Sequence, residues 1–362
     1  MLENWFLPIS PELNAFNEHQ LGGMIEKYIT QMPDLKQIPV VLLGIDKKAA
    51  DPVRKELYSY SCAFSGLKIA DIGNLRKQDA SFIIPILEEL LTGGILPVIL
   101  GGSDESALAQ YLAYQHRKEP VNLFAIDNAI TYASDGNTRR NLWNIILDEK
   151  KGHLFHAGVI GTQSHLTSAM ALKAWEKHHF DYLRLGKIKS EIGEAEPIIR
   201  DADLIVYHMA AIKGSEAPGQ SPPVSSGMTT EEACQLSRYA GMNDKLSSVG
   251  FYGFIPAKDI RHQTAQVVAQ LIWYFLEGFS HRKNDYPVST AHLVEYIVDA
   301  KDSDFQLTFW KSNKSGRWWM QIPVKTKRKH QRHRLIPCSY ADYELACREE
   351  LPERLFNAIK RF

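Results

Sequence analysis

The sequence predicts an α/β fold: a mainly parallel sheet of about eight strands between two helical layers, with a small α+β appendage at the C-terminal end. Eight short apolar runs, at 40–45, 67–72, 96–100, 121–126, 154–160, 181–185, 204–207 and 246–251, are rich in Val, Ile, Leu or Phe on both parities. Strands covered on both faces read this way, without the alternation of a half-exposed strand. Longer amphipathic stretches at 80–91, 106–116, 166–178 and 229–240 separate the later runs. Strand–helix alternation of this length builds a parallel sheet covered on both sides.

The helix at 229–240 opens with Thr229-Thr-Glu-Glu232, a spacing at which Thr and Glu each satisfy a free backbone donor. A long helix at 261–279 ends the alternating region. Beyond it, 305–310, 311–316 and 317–323 read as strand, turn and strand, since β-rich runs flank a polar, Gly-containing link. A basic stretch at 325–334 and a helix-like tail at 340–362 complete the chain. Residues 1–284 are therefore expected to form one α/β domain and residues 285–362 a separate appendage.

Charge and composition narrow the partners. Lys plus Arg and Asp plus Glu both total 42, so the whole chain has no net attraction for nucleic acid or acidic lipid. The stretch 325–334 holds six Lys/Arg and two His in ten residues, after Trp310, Trp318 and Trp319. It reads first as a solvated loop beside the hairpin, with protein contact and nucleic-acid contact as alternatives. No nucleic-acid or membrane partner is expected; a small molecule, a protein partner or a homo-oligomer is. The start carries an acid, no basic region and an early Pro8, unlike a signal peptide. No window approaches the roughly 18 apolar residues of a membrane helix. Cys62, Cys234, Cys338 and Cys347 lie far apart, which predicts reduced, buried thiols in a cytoplasm.

In open parallel sheets, ligands bind at the carboxyl ends of the strands. Four strand-end segments are informative. The first, 97–106, is Pro-Val-Ile-Leu-Gly-Gly-Ser-Asp-Glu-Ser, and the second, 122–131, is Asn-Leu-Phe-Ala-Ile-Asp-Asn-Ala-Ile-Thr. The third runs from Asp203 through Tyr207-His-Met-Ala210 to Ala217-Pro-Gly-Gln-Ser-Pro-Pro223 and Gly227-Met-Thr-Thr-Glu-Glu232. The fourth, 248–259, is Ser-Val-Gly-Phe-Tyr-Gly-Phe-Ile-Pro-Ala-Lys-Asp.

In order and spacing these segments resemble the four signature regions of the ureohydrolase family, which includes arginase, agmatinase and formimidoylglutamase. The resemblance spans about residues 38–280, and the Ala-Pro-Gly-x-Ser-x-Pro loop followed by Gly-x-Thr-x-Glu-Glu is its most specific piece. The Gly-Gly-Ser-Asp-Glu run is similar to the Gly-Gly-Gly-His-Glu form of formimidoylglutamases. The resemblance implies two manganese ions held by two histidines and four aspartates, and a water that attacks a guanidino or formimino carbon.

Carried over position by position, most of that set is altered. The first histidine becomes Asp104; Asp127 is kept; the next histidine and aspartate become Ala129 and Thr131. The Asp-x-Asp pair becomes His208 and Ala210, the acid that follows becomes Lys213, and Gly253 and Ile255 replace a glutamate and an asparagine. Asp104, Asp127, Ala129, Thr131, His208, Ala210 and Gly253 are expected to line the pocket, with Ser103, Glu105, Asn128 and Lys213 beside them. No cofactor is expected unless one manganese persists on Asp104, Asp127 and His208.

His153, His156, His178 and His179 are expected at the surface, and Ser106 and Ser164 lack a readable His/Asp partner. The leading expectation is a non-catalytic member acting by binding or assembly. The alternatives are a formimidoylglutamase- or agmatinase-like C–N hydrolase with a rebuilt one-metal site, and an interaction scaffold working through the appendage.

Overall fold

A computed structural model of the chain describes residues 2–62, 64, 66–132, 142–148, 153–287, 290–299, 306–325 and 333–362. All eight apolar runs form strands: β1 (Val40–Gly44), β2 (Ile69–Leu75), β3 (Leu96–Leu100), β4 (Val121–Ile126), β5 (Leu154–Thr162), β6 (Asp181–Arg184), β7 (Leu204–His208) and β8 (Ser248–Tyr252). They pair in parallel in the order β2-β1-β3-β8-β7-β4-β5-β6. Two short strands, Phe6–Leu7 and Glu26–Lys27, also pair with β2, the first of them antiparallel.

Every residue of β1 to β4 and of β8 is buried, which accounts for the unbroken apolar runs. Successive side chains still enter opposite cores, as strand geometry requires. Leu42, Val98, Ile126, Ile205 and Phe251 pack with helices Lys47–Ser59, Thr230–Gly241 and Gln263–Ser280. Leu43, Ile99, Ala125, Val206 and Tyr252 pack with helices Ala80–Thr92, Asp104–Leu112 and Ala169–Lys177.

The capping box forms as its spacing predicts: Thr229 N donates to Glu232 Oε2 at 2.8 Å, and Glu232 N to Thr229 Oγ1 at 3.3 Å. The helix expected at 106–116 instead spans Asp104–Leu112, because Ser103 is already its cap and Asp104 its first residue. The 340–362 tail is two helices, Tyr340–Cys347 and Glu353–Arg361. Glu349 takes a left-handed φ of 67° between them, and Pro352 precedes the second; proline cannot continue a preceding helix because it lacks the N–H.

At the C-terminal end, β9 (Leu293–Asp299), β10 (Gln306–Ser312), β11 (Trp318–Gln321) and β12 (Leu335–Cys338) form a separate antiparallel sheet in chain order. The central hairpin matches the sequence expectation; the two outer strands were not legible. Most of the basic stretch, 326–332, lies outside the described residues.

This sheet and the last helix meet the large sheet at the amino ends of its strands. Arg200 donates to the carbonyls of Trp318 and Cys338, each at 3.1 Å, and stacks on Trp319. Arg361 reaches His156 and Asp181, at the starts of β5 and β6. His156 is not a surface residue: it is 1% exposed and paired with Asp181 at 3.0 Å. Cys234 and Cys338 are buried and free, as expected, whereas Cys347 is exposed. Among the described residues, no helix is long and apolar enough to cross a membrane.

Candidate functional site

The four informative strand ends belong to β3, β8, β7 and β4, which are consecutive neighbours in the sheet. After β3, Gly101 and Gly102 take φ of 77° and 103°, a conformation that favours glycine. A β-carbon on Gly102 would also meet Ser106 Oγ at 2.7 Å. This turn lifts Asp104 to the first position of its helix, with its side chain 67% exposed.

At the end of β4, Asp127 N still donates to Ile160 O at 2.9 Å. The Asp127 carboxylate accepts the Asn128 amide at 2.7 Å. His208 closes β7, and its Nδ1 accepts the Ala210 amide at 3.1 Å.

The three polar groups converge. His208 Nε2 lies 3.6 Å from Asp104 Oδ1, and His208 Nδ1 lies 4.0 Å from Asp127 Oδ1. Burial pushes the Asp127 carboxyl above its ordinary value, opposed by the neighbouring His208 and by the Asn128 N–H donor. The imidazole thus stands between two carboxylates, one solvated and one largely enclosed.

These groups line a cavity of about 300 Å³ together with Asn128, Ala129, Thr131 and Ala210. Of the expected residues, Gly253 lies beneath the imidazole and not in the cavity wall. Ser103 and Glu105 are exposed outside the wall, and Lys213 faces Glu216 at 3.9 Å.

The remaining wall was not foreseen: Leu142, Trp143, Leu166, Pro222 and Val224 are apolar, joined by Ser221. Lys258 Nζ holds the Ser221 hydroxyl at 2.6 Å. The Ser-Pro-Pro loop was visible as a motif, but its folding over this pocket depends on tertiary structure. The cluster at 142–143 carries no local signal beyond its apolarity.

Ala129 and Ala210 carry no metal-ligating side-chain atom and Gly253 has no side chain. Among the described residues, no three His, Cys, Asp or Glu side chains stand in ready-made metal geometry. Two cis ligands with bonds of about 2.1 Å stand roughly 3–3.5 Å apart. The 3.6 Å between Asp104 Oδ1 and His208 Nε2 is close to such an edge. Asp104 and His208 are the pair that would hold one ion, with Asp127 on the other side of the ring. An ion at Nε2 would need the ring proton on Nδ1, the atom that here accepts the Ala210 amide.

Comparison with known proteins agrees with this layout. The profile of the arginase family matches residues 47–277. A formimidoylglutamase of Staphylococcus aureus (strain MRSA252) is 30% identical over 242 residues, covering 59% of this chain and 76% of that protein. The formiminoglutamase of Trypanosoma cruzi, solved with Mn2+, superposes with a TM-score of 0.64 at 16% identity, over 74% of this chain and 100% of that one. The formimidoylglutamase of Bacillus subtilis gives 0.63 at 19% identity, over 76% and 97%.

These findings overturn the expectation of a non-catalytic binding protein. The similar sequence and solved structures are those of named enzymes, and the altered positions still bring Asp104, Asp127 and His208 together in one cavity. The matched region and the sheet order around this site lead to one conclusion: the chain belongs to the arginase family.

Proposed function

We propose that the chain hydrolyses a C–N bond of a linear amidine or guanidine at a centre where Asp104 and His208 would hold a single divalent cation and Asp127 faces the other nitrogen of the His208 ring. The observation that carries this reading is the convergence of the three side chains at the ends of β3, β4 and β7. The 30% identity to a formimidoylglutamase supports the reaction class. Manganese is the cation of choice, since the donors are carboxylate oxygen and imidazole and the similar T. cruzi structure contains it.

When bound, such an ion supplies Lewis acidity that eases proton loss from water near neutral pH. The protein supplies position and proton transfer. His208 would be oriented as a ligand by Asp127, whose Oδ1 lies 4.0 Å from its Nδ1. Asp104 is accessible from the cavity mouth and faces the protonated nitrogen of an amidine, a charge-assisted contact. Water oxygen adds to the amidine carbon, the C–N bond breaks, and the departing nitrogen leaves as an amine with the proton taken from water.

The test is release of ammonia, formamide or urea from formiminoglutamate, agmatine, arginine and simple alkyl amidines, using manganese-loaded protein. Turnover is expected on at least one of them, with His208→Ala and Asp127→Asn each reducing it by about 100-fold or more. Absence of turnover across the panel from folded, metal-loaded protein rejects the proposal.

A further inference from the structure

Resting on the hydrolase reading above, we propose that Ser221 and Lys258 form an anion-binding subsite of the same cavity. Through it, Lys258 selects an amidine or guanidine whose far end carries a carboxylate. The pair is drawn from two loops. Ser221 stands between β7 and the helix Thr230–Gly241, and it lines the cavity that Asp104, Asp127 and His208 also line. Lys258 ends the short helical turn Pro256–Lys258 that follows β8. Its Nζ donates to Ser221 Oγ at 2.6 Å.

The residues around the pair fix both loops in place. Ile255 N donates to Gly219 O at 2.7 Å, which ties the turn after β8 to the Ser221 loop. Gly219 N donates in turn to Thr264 Oγ1, also at 2.7 Å. Gln220 is fully buried, and its side-chain amide donates to the Ile212 and Ala217 carbonyls at 2.9 and 2.8 Å. Asp259 accepts the Thr264 and Ala265 amides at 2.8 and 3.1 Å. The immediate neighbours of Ser221 and Lys258 are thus committed to backbone, while the pair itself is exposed.

An ammonium has three N–H donors, and a hydroxyl that accepts one of them keeps its own O–H to give. The pair therefore offers a positive charge and two kinds of donor, a set that suits carboxylate oxygens. The partner of Nζ in this bond is neutral, so the bond does not cancel its charge. It does restrain a long, flexible side chain against a residue of the cavity wall. The acids Asp104 and Asp127 stand at the strand ends of the same cavity, where they suit the protonated nitrogen of an amidine. An amidinium head with a carboxylate tail matches both ends. An ammonium tail would instead meet a like charge at Lys258. Because the pair is exposed, a carboxylate there keeps part of its hydration and avoids the full cost of burial.

The experiment is isothermal titration of 4-guanidinobutyrate and agmatine into full-length protein, with and without manganese. The two ligands share a guanidine head and differ in the charge of the tail. The wild type is expected to bind 4-guanidinobutyrate about tenfold or more tightly than agmatine, since attraction for one tail and repulsion of the other add. Lys258→Met should remove most of that ratio and Lys258→Glu reverse it. Both substitutions fall on an exposed side chain, where loss of the fold is not expected. A preference seen in one metal state alone, and abolished by Lys258→Glu, sustains the inference. A ratio indifferent to Lys258→Glu, equal or tighter binding of agmatine by the wild type in both states, or binding of neither ligand overturns it. Binding is read apart from turnover, so the two proposals fail separately. Amidine hydrolysis with a binding ratio indifferent to Lys258 would sink the subsite and keep the hydrolase. Lys258-dependent binding without turnover of any amidine would do the reverse.

Discussion

Gly253 and His208 are fitted to one another: a β-carbon on residue 253 would stand 2.5 Å from His208 Nε2 and 2.6 Å from Cε1. Residue 253 also takes a φ of 80°, where any side chain is strained. The imidazole thus occupies volume that a side chain at this strand end would otherwise fill. The absence of a side chain at residue 253 and the placement of the His208 ring are thus sterically linked.

Gly253→Ala is therefore expected to cost about 1–3 kcal/mol of stability, from backbone strain and contact with the ring. It should also reduce activity by moving His208. Adding His208→Ala removes the contact but not the strain, so the double variant should be more stable than the sum of the singles by about 0.5 kcal/mol or more. Urea denaturation of the four proteins checks this, and strict additivity would show that the ring and residue 253 do not interact.

A second expectation concerns the buried polar cluster beside the site-bearing strands. Arg54 is fully buried and donates to Asp71 at 2.7 and 3.0 Å, to Asn74 at 2.6 Å, to Asp51 at 3.0 Å and to the Gly73 carbonyl at 2.9 Å. Tyr58 adds a bond to Asp71 at 2.7 Å. Removing one partner leaves a buried charge uncompensated, so Arg54→Met should cost about 3–5 kcal/mol. A double Arg54→Met, Asp71→Leu variant should recover a large part of that loss, measured by the shift in denaturation midpoint.

The contact between the last helix and the large sheet should depend on pH. Burial, then the adjacent Arg361, holds the His156 pKa below its ordinary value, while Asp181 partly opposes them. The unfolded chain therefore takes up this proton first as pH falls. The contribution of His156 is complete above about pH 6.5, its ordinary pKa, and is lost as pH drops from there toward the folded value. Asp181 is held well below the usual carboxylate range despite its burial, by His156 and Arg361, so its contribution is lost only at much lower pH. Arg361→Ala should lower stability at pH 8 and flatten the decline between pH 7 and 5. Melting temperatures across that range test this; a steeper decline in the variant would contradict it.

Much of the fold was legible because its strands are covered on both faces. Runs such as 96–100 and 121–126 needed no knowledge of their partners to be read as strands. Asp127 and His208 directly follow apolar runs and Asp104 follows one after Gly-Gly-Ser, so the sequence alone placed all three at strand ends. Trp143 and Val224 were hidden: they reach the cavity from segments distant in the chain. His156 looked like a surface residue beside a strand start, but it lies within β5, packs against Phe124 and Phe180, and pairs with Asp181 and with Arg361 from 205 positions away. The outer strands β9 and β12 were missed since their pairing partners, not their own patterns, define them.

The proposed hydrolytic centre holds one cation on Asp104 and His208, with Asp127 behind the ring. The most direct test is the manganese content of purified protein after equilibrium with Mn2+ and removal of free ion, read by elemental mass spectrometry for the wild type, His208→Ala and Asp104→Asn. The account predicts about one equivalent in the wild type and little in either variant. No bound manganese in the wild type, or one equivalent retained in both variants, would contradict it.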